Sequence, residues 1–164
     1  MRIIGIDPGI AISGYGILDF DEYKNTFELI TSGSVQTDKN NSTEQRLLEL
    51  HNDISELIKM YSPDCAVIEK LFYFKNAKTI IPVSEARGVI CMTFAKYGIN
   101  IAEYTPQQAK QVITGYGRAE KPEVADMVKI ILNTNNIPKL DDTVDAIALG
   151  ICHIRNIKLT AEVV

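Results

Sequence analysis

Four carboxylates stand where carboxylates are costly. Asp7 closes the apolar run Ile3-Ile4-Gly5-Ile6, and Glu69 closes Cys65-Ala66-Val67-Ile68. Asp142 and Asp145 lie three residues apart in the helix-like segment Asp141-Asp142-Thr143-Val144-Asp145-Ala146-Ile147-Ala148-Leu149. A carboxylate at the end of a buried element has lost much of its water and needs a hydrogen-bonding or cationic partner. The spacing of Asp142 and Asp145 puts both on one helical face over adjacent turns, where like charges repel. Acids favour the first turn of a helix, which accounts for Asp141 and Asp142 but less well for Asp145. Brought together, the four acids would raise one another's pKa values or gather cations. Mg²⁺ suits such a set, because it takes oxygen ligands and completes its octahedron with waters and phosphate. Two such ions roughly 3.5–4 Å apart can activate a water nucleophile and stabilise the leaving oxygen of a phosphodiester. Neither task needs a histidine: His51 reads as the polar edge of a helix, and His153 as a helix residue near the face of Asp142.

The charge distribution names a class of partner. The 164-residue chain carries a net charge of −4, but unevenly. Residues 70–121 hold eight basic and three acidic residues, a net +5, while the remainder holds nine and eighteen, a net −9. A basic middle beside an acidic site suits a polyanion. Phe72-Tyr73-Phe74 follows Glu69-Lys70-Leu71 and precedes Lys75-Asn76. Alternate side chains of an extended segment point oppositely, so three consecutive rings cannot all face a core, and exposed rings can stack on unpaired bases. There is no Gly-Lys-Ser/Thr loop, and Gly9 to Gly16 leads into strand-like alternation rather than a helix, which argues against nucleotide binding. No apolar stretch approaches a membrane span and the N-terminus lacks a signal-peptide pattern, so a cytoplasmic protein is expected. Cys65, Cys91 and Cys152 are odd in number and widely spaced, and read as buried reduced thiols.

The elements that must position these residues follow from periodicity. Residues 2–7, 12–20 and 26–36 predict three strands, the last two joined by a hairpin turn over Asp21–Asn25, so an antiparallel meander opens the domain. Ser42-Thr43-Glu44-Gln45 has capping-box form, and Leu47, Leu50, Ile54, Leu57, Ile58 and Tyr61 recur at helical spacing. Residues 64–69 predict a central strand buried on both faces. Residues 77–97 predict a long apolar helix perturbed at Pro82 or Gly88, and 99–103 a further strand, an alternation that implies parallel pairing. Thr105-Pro106-Gln107-Gln108 opens a helix interrupted at Gly115-Tyr116-Gly117; Pro122 opens another, to about Asn133; the last begins near Asp141. The whole reads as one α/β domain over residues 1–157, with a mixed five-stranded sheet flanked by helices, and a short tail over 158–164.

Taken in order, Gly5-Ile6-Asp7-Pro8-Gly9, Ser13-Gly14-Tyr15-Gly16, Ile68-Glu69, Phe72-Tyr73-Phe74-Lys75-Asn76, Ala86-Arg87-Gly88-Val89, Gln108-Ala109-Lys110-Gln111-Val112, Ala119-Glu120-Lys121 and Asp142-Thr143-Val144-Asp145-Ala146 resemble the RuvC family of bacterial Holliday-junction resolvases. The resemblance extends from residue 3 to about 153. It implies an RNase H-like fold, a homodimer, two Mg²⁺ ions per active site with Mn²⁺ as a substitute, and paired nicks across a four-way DNA junction. It further implies that Asp7, Glu69, Asp142 and Asp145 are the catalytic metal ligands, that Phe72 stacks on a base, and that Lys110 and Lys121 contact DNA near the scissile phosphates. Lys75 and Arg118 join these DNA contacts within the basic segment. RuvA and RuvB, the branch-migration machinery, are the implied protein partners. A homodimer suits two symmetric cuts, and the helix over 77–97, apolar on more than one face, is the candidate interface. Two alternatives stay open: a YqgF-type RNase H-like nuclease acting on RNA, and a catalytically silent junction-binding module. An actin-like ATPase fragment would need a second lobe that this length does not accommodate.

Overall fold

Near-continuous apolar runs with period-two alternation make the centre of the molecule a sheet with both faces covered. The computed structural model describes residues 1–71 and 80–161. Its strands are β1 (Arg2–Asp7), β2 (Ile12–Asp21), β3 (Thr26–Gln36), β4 (Cys65–Glu69) and β5 (Asn100–Tyr104). They lie in the order β3-β2-β1-β4-β5. β1, β2 and β3 form the antiparallel meander, while β4 pairs parallel with β1 and β5 parallel with β4. The expected mixed sheet is therefore present, with β1 at its middle.

The helices are α1 (Thr43–Tyr61), α2 (Ile80–Lys96), α3 (Pro106–Thr114), α4 (Lys121–Ile131) and α5 (Asp141–Ala161). Ser42 and Thr105 cap α1 and α3 with complete capping boxes, and Pro106 sits at the start of α3 as its sequence predicts. Gly115, at φ 80°, ends α3 in the left-handed conformation that glycine adopts without penalty. Even-numbered residues of the central strands, Ile4, Ile6, Ala66 and Ile68, pack with Leu50, Ile54, Ile90 and Phe94 of α1 and α2. Odd-numbered Ile3, Cys65 and Val67 face the other way, onto Leu149 and Cys152 of α5. Ile113, Val124 and Val128 of α3 and α4 close over the outer side of α5.

Several boundaries differ from the periodicity, most by one or two residues. β5 spans 100–104 rather than 99–103, because Gly98 at φ 70° ends α2 and the Ile99 amide is still donating to the Phe94 carbonyl at 3.0 Å. α2 is continuous through Pro82, which lies in the first turn where no intrahelical donor is lost; residues 77–79 of the predicted helix lie outside the described residues. α5 continues through Ala161, past residue 157 where a tail was expected, since no proline or glycine follows Gly150 and Lys158 suits the C-terminal dipole. Cys65 and Cys152 are buried and Cys91 half-buried, all free thiols. Among the described residues no helix is long and apolar enough to cross a membrane.

Candidate active site

Asp7 is the last residue of β1 and Glu69 the last of β4. The register Ile6↔Ile68 sets the two strand ends side by side, and strand alternation turns both carboxylates toward α5. What brings α5 down to them is a floor of glycines. A Cβ at Gly5 would overlap the Ala146 carbonyl oxygen, and one at Gly14, the partner of Asp7 on β2, would overlap the Asp142 carbonyl. Helix backbone thus rests directly on sheet backbone, and Asp142 and Asp145 in the opening turns of α5 arrive over the end of β1. The Thr143 hydroxyl, fully buried, donates to the Gly33 carbonyl at 3.1 Å and ties the same turn to β3.

The electrostatics follow from this crowding. Burial pushes the Asp7 carboxyl up to about 8, with Glu69, Asp145 and Asp142 adding repulsion and Lys121 opposing it. Burial likewise lifts Glu69 to about 7, reinforced by Asp145 and Asp142 and opposed by Lys121 and Lys110. Asp145 is raised as well, again chiefly by burial, against the pull of Lys121 and Lys110. The four predicted acids therefore share one electrostatic neighbourhood. As placed they do not converge on a point: among the described residues no three His, Cys, Asp or Glu side chains form a ready-made ion cage. The donor set is all oxygen and partly desolvated, and its mutual repulsion is relieved by positive charge, which fits a hard divalent cation.

The basic residues divide. Lys121, the first residue of α4, places its Nζ 3.0 Å from Asp141 and 4.0 Å from Asp145. Lys110, midway along α3, is half-buried and close enough for its charge to act on Glu69 and Asp145. Arg118 is exposed in the α3–α4 connection. Phe72 and Lys75 lie outside the described residues. A groove of about 350 Å³ between α4 and α5 is lined by Lys121, Lys129, Lys139, Asp141 and Asp145. A larger cavity, about 630 Å³, lies beside Arg155 and Lys158 near the far end of α5 and contains none of the acids.

His153 is no part of this site. Its Nδ1 meets the Tyr104 hydroxyl at 3.0 Å and its Nε2 the Cys65 thiol at 3.4 Å, so it is a satisfied core group joining α5 to β4 and β5. His51 is likewise occupied, its Nδ1 2.7 Å from the Thr93 hydroxyl. Two features escape the sequence reading. The Lys121–Asp141 pair joins two helices whose relative placement no local spacing reports. The glycine floor had a signal in Gly14-x-Gly16, since glycine inside a strand marks close backbone approach.

The family model described as "RuvC: Crossover junction endodeoxyribonuclease RuvC" matches residues 3–153. A crossover junction endodeoxyribonuclease RuvC of Caldicellulosiruptor saccharolyticus is 47% identical over 154 residues, covering 94% of this chain and 92% of the relative. That of Fusobacterium nucleatum is 48% identical over 157 residues, covering 96% of this chain and 82% of the relative. Among solved structures, that of Thermus thermophilus RuvC superposes with a TM-score of 0.89 at 27% identity, covering 98% of this chain and 97% of the other.

Proposed function

Since the chain belongs to the RuvC family of crossover junction endodeoxyribonucleases, we propose that it resolves four-way DNA junctions by paired nicks, using Asp7, Glu69, Asp142 and Asp145 to hold divalent metal at the end of the sheet. The observation that carries this reading is that the matched segment, residues 3–153, contains all four acids, and the fold gathers them at one end of β1, β4 and α5.

Mg²⁺ is the proposed ion, with Mn²⁺ able to replace it, because both accept an all-oxygen donor set. Two bound ions would supply an activated water and neutralise the leaving oxygen of the phosphodiester. The chain's own residues do the placing. Asp7 and Glu69 from the strand ends and Asp142 and Asp145 from α5 would hold the metal, with Asp7 on the central strand and under the charge of the other three. With their carboxyls raised to about 8 and about 7, Asp7 and Glu69 would give up protons in exchange for a bound cation. Lys110 and Lys121, at the rim, offer charge to the scissile phosphate. Phe72, Lys75 and Arg118 are proposed to contact the splayed strands around the junction.

Two symmetric cuts require two sites, and a twofold dimer matches the junction's own approximate twofold. The α2 stripe Ile81, Glu85, Gly88 and Met92 is proposed as its interface: Ile81 and Met92 are 66% and 50% exposed, and a Cβ at Gly88 would meet nothing within 4 Å, which leaves room for close approach. RuvA and RuvB remain the proposed partners for branch migration. The test is incubation of a synthetic four-way junction with the protein in Mg²⁺ or in EDTA. Paired nicks that require the metal and vanish in Asp7→Asn are expected. Junction binding without nicks would establish a silent module, and preferential cutting of RNA a YqgF-type nuclease.

A further inference from the structure

Lys121 stands between two acids with different surroundings. Its Nζ is 3.0 Å from Asp141 and 4.0 Å from Asp145, whose side chains are 62% and 28% exposed. Asp141 is the first residue of α5 and is not among the acids that press on Asp7, though its charge reaches Asp145; Asp145 lies within the crowd over β1. We propose that Asp141 is a positioning residue that holds the Lys121 ammonium off the Asp145 carboxylate, leaving that carboxylate free for a divalent cation while keeping the amine at the rim of the site. The proposal rests on the reading of Asp145 as a cation ligand.

An ammonium on a flexible four-carbon stem is a mobile point charge that settles on the best available carboxylate. Without Asp141 the acid already nearest to Lys121 is Asp145, and an ammonium paired there competes with a divalent ion for the same oxygens. Asp141 prevents this at little cost, because an acid at the N-terminus of a helix is favoured by the dipole. Both Lys121 and Asp141 line the open groove between α4 and α5, so the amine can turn from Asp141 toward an incoming phosphate without crossing protein.

The test is the affinity for Mn²⁺ measured by titration calorimetry on the DNA-free, full-length protein, in wild type, Asp141→Asn, Lys121→Met and the double variant, with circular dichroism confirming that each is folded. Asp141→Asn should weaken Mn²⁺ binding about two- to five-fold, the worth of an exposed ion pair redirected onto the ligand. In the Lys121→Met background the same substitution should have less than half that effect. An equal effect in both backgrounds would make Asp141 a ligand or a plain negative charge and overturn the proposal, as would no effect in either. Asp7→Asn separates the underlying reading: if it leaves Mn²⁺ affinity unchanged, the acids are not the cation site and both conclusions fall; if it weakens binding while Asp141→Asn is silent, only the positioning role falls.

Discussion

Asp7→Asn should stabilise the fold while destroying the activity. Burial and the surrounding acids raise the Asp7 carboxyl from 3.8 to about 8. The folded chain therefore holds this proton more tightly than the unfolded chain. Between about pH 4 and pH 8 the folded state carries the extra proton, so stability falls as pH rises through that window. At roughly 1.4 kcal/mol per tenfold change in proton affinity, the full rise corresponds to about 6 kcal/mol. The Asp7 titration is coupled to those of Glu69 and Asp145, which are raised as well, and water relaxes around a half-buried carboxylate, so about 1–3 kcal/mol should survive in a measurement. Asparagine keeps the shape and cannot ionise. In EDTA, urea denaturation followed by circular dichroism should find the variant close to wild type near pH 5 and more stable by that amount near pH 8. Adding Mg²⁺ or Mn²⁺ near pH 8 should restore stability to wild type and leave the variant little changed. A variant equally displaced from wild type at both pH values, or less stable near pH 8, would refute the claim that the site is held together against its own repulsion.

Gly14→Ala should cost about 1–3 kcal/mol or more, because its methyl meets helix backbone at Asp142 and Thr143 rather than a side chain that can turn aside. Cleavage should fall further than the loss of stability explains, and wild-type melting and nicking in this variant would refute the glycine floor. Ile81→Glu with Met92→Glu should yield monomers in sedimentation and convert paired nicks into independent single ones; an unchanged dimer would move the interface off α2.

The placement of Asp7 and Glu69 is legible in the sequence because a period-two apolar run has an end, and a charge at that end is conspicuous in one dimension. The helix starts are legible for the same local reason: Ser42 and Thr105 carry their capping partners three residues downstream, within one turn. The choice among Asp141, Asp142 and Asp145 is not legible from spacing, since all three satisfy some helical pairing. It depends on how α5 is rotated over the sheet, and that rotation is set by contacts from elsewhere, the backbone resting on Gly5 and Gly14 and the Thr143 hydroxyl on Gly33. The partner of Lys121 depends likewise on how α4 meets α5, a tertiary relation between residues twenty positions apart.

The glycine floor and the raised carboxyls are two sides of one arrangement. A helix resting on side chains would stand farther from the sheet, leave water around Asp7 and let its carboxyl ionise at an ordinary pH. Removing those side chains lets α5 approach, which excludes water from Asp7 and presses Asp142 and Asp145 toward it. The same contact that completes the donor set therefore creates the repulsion that a divalent cation relieves. Packing and cation affinity should consequently rise and fall together. A substitution that lifts α5, such as Gly14→Ala, should bring the Asp7 carboxyl back toward 3.8 as well as weaken Mn²⁺ binding. Carbon-detected NMR of the Asp7 carboxyl across a pH titration would register the first change and calorimetry the second. If Gly14→Ala weakened Mn²⁺ binding while the Asp7 titration stayed near neutral pH, helix approach and desolvation would be separate matters, and the glycine floor would account for only one of them.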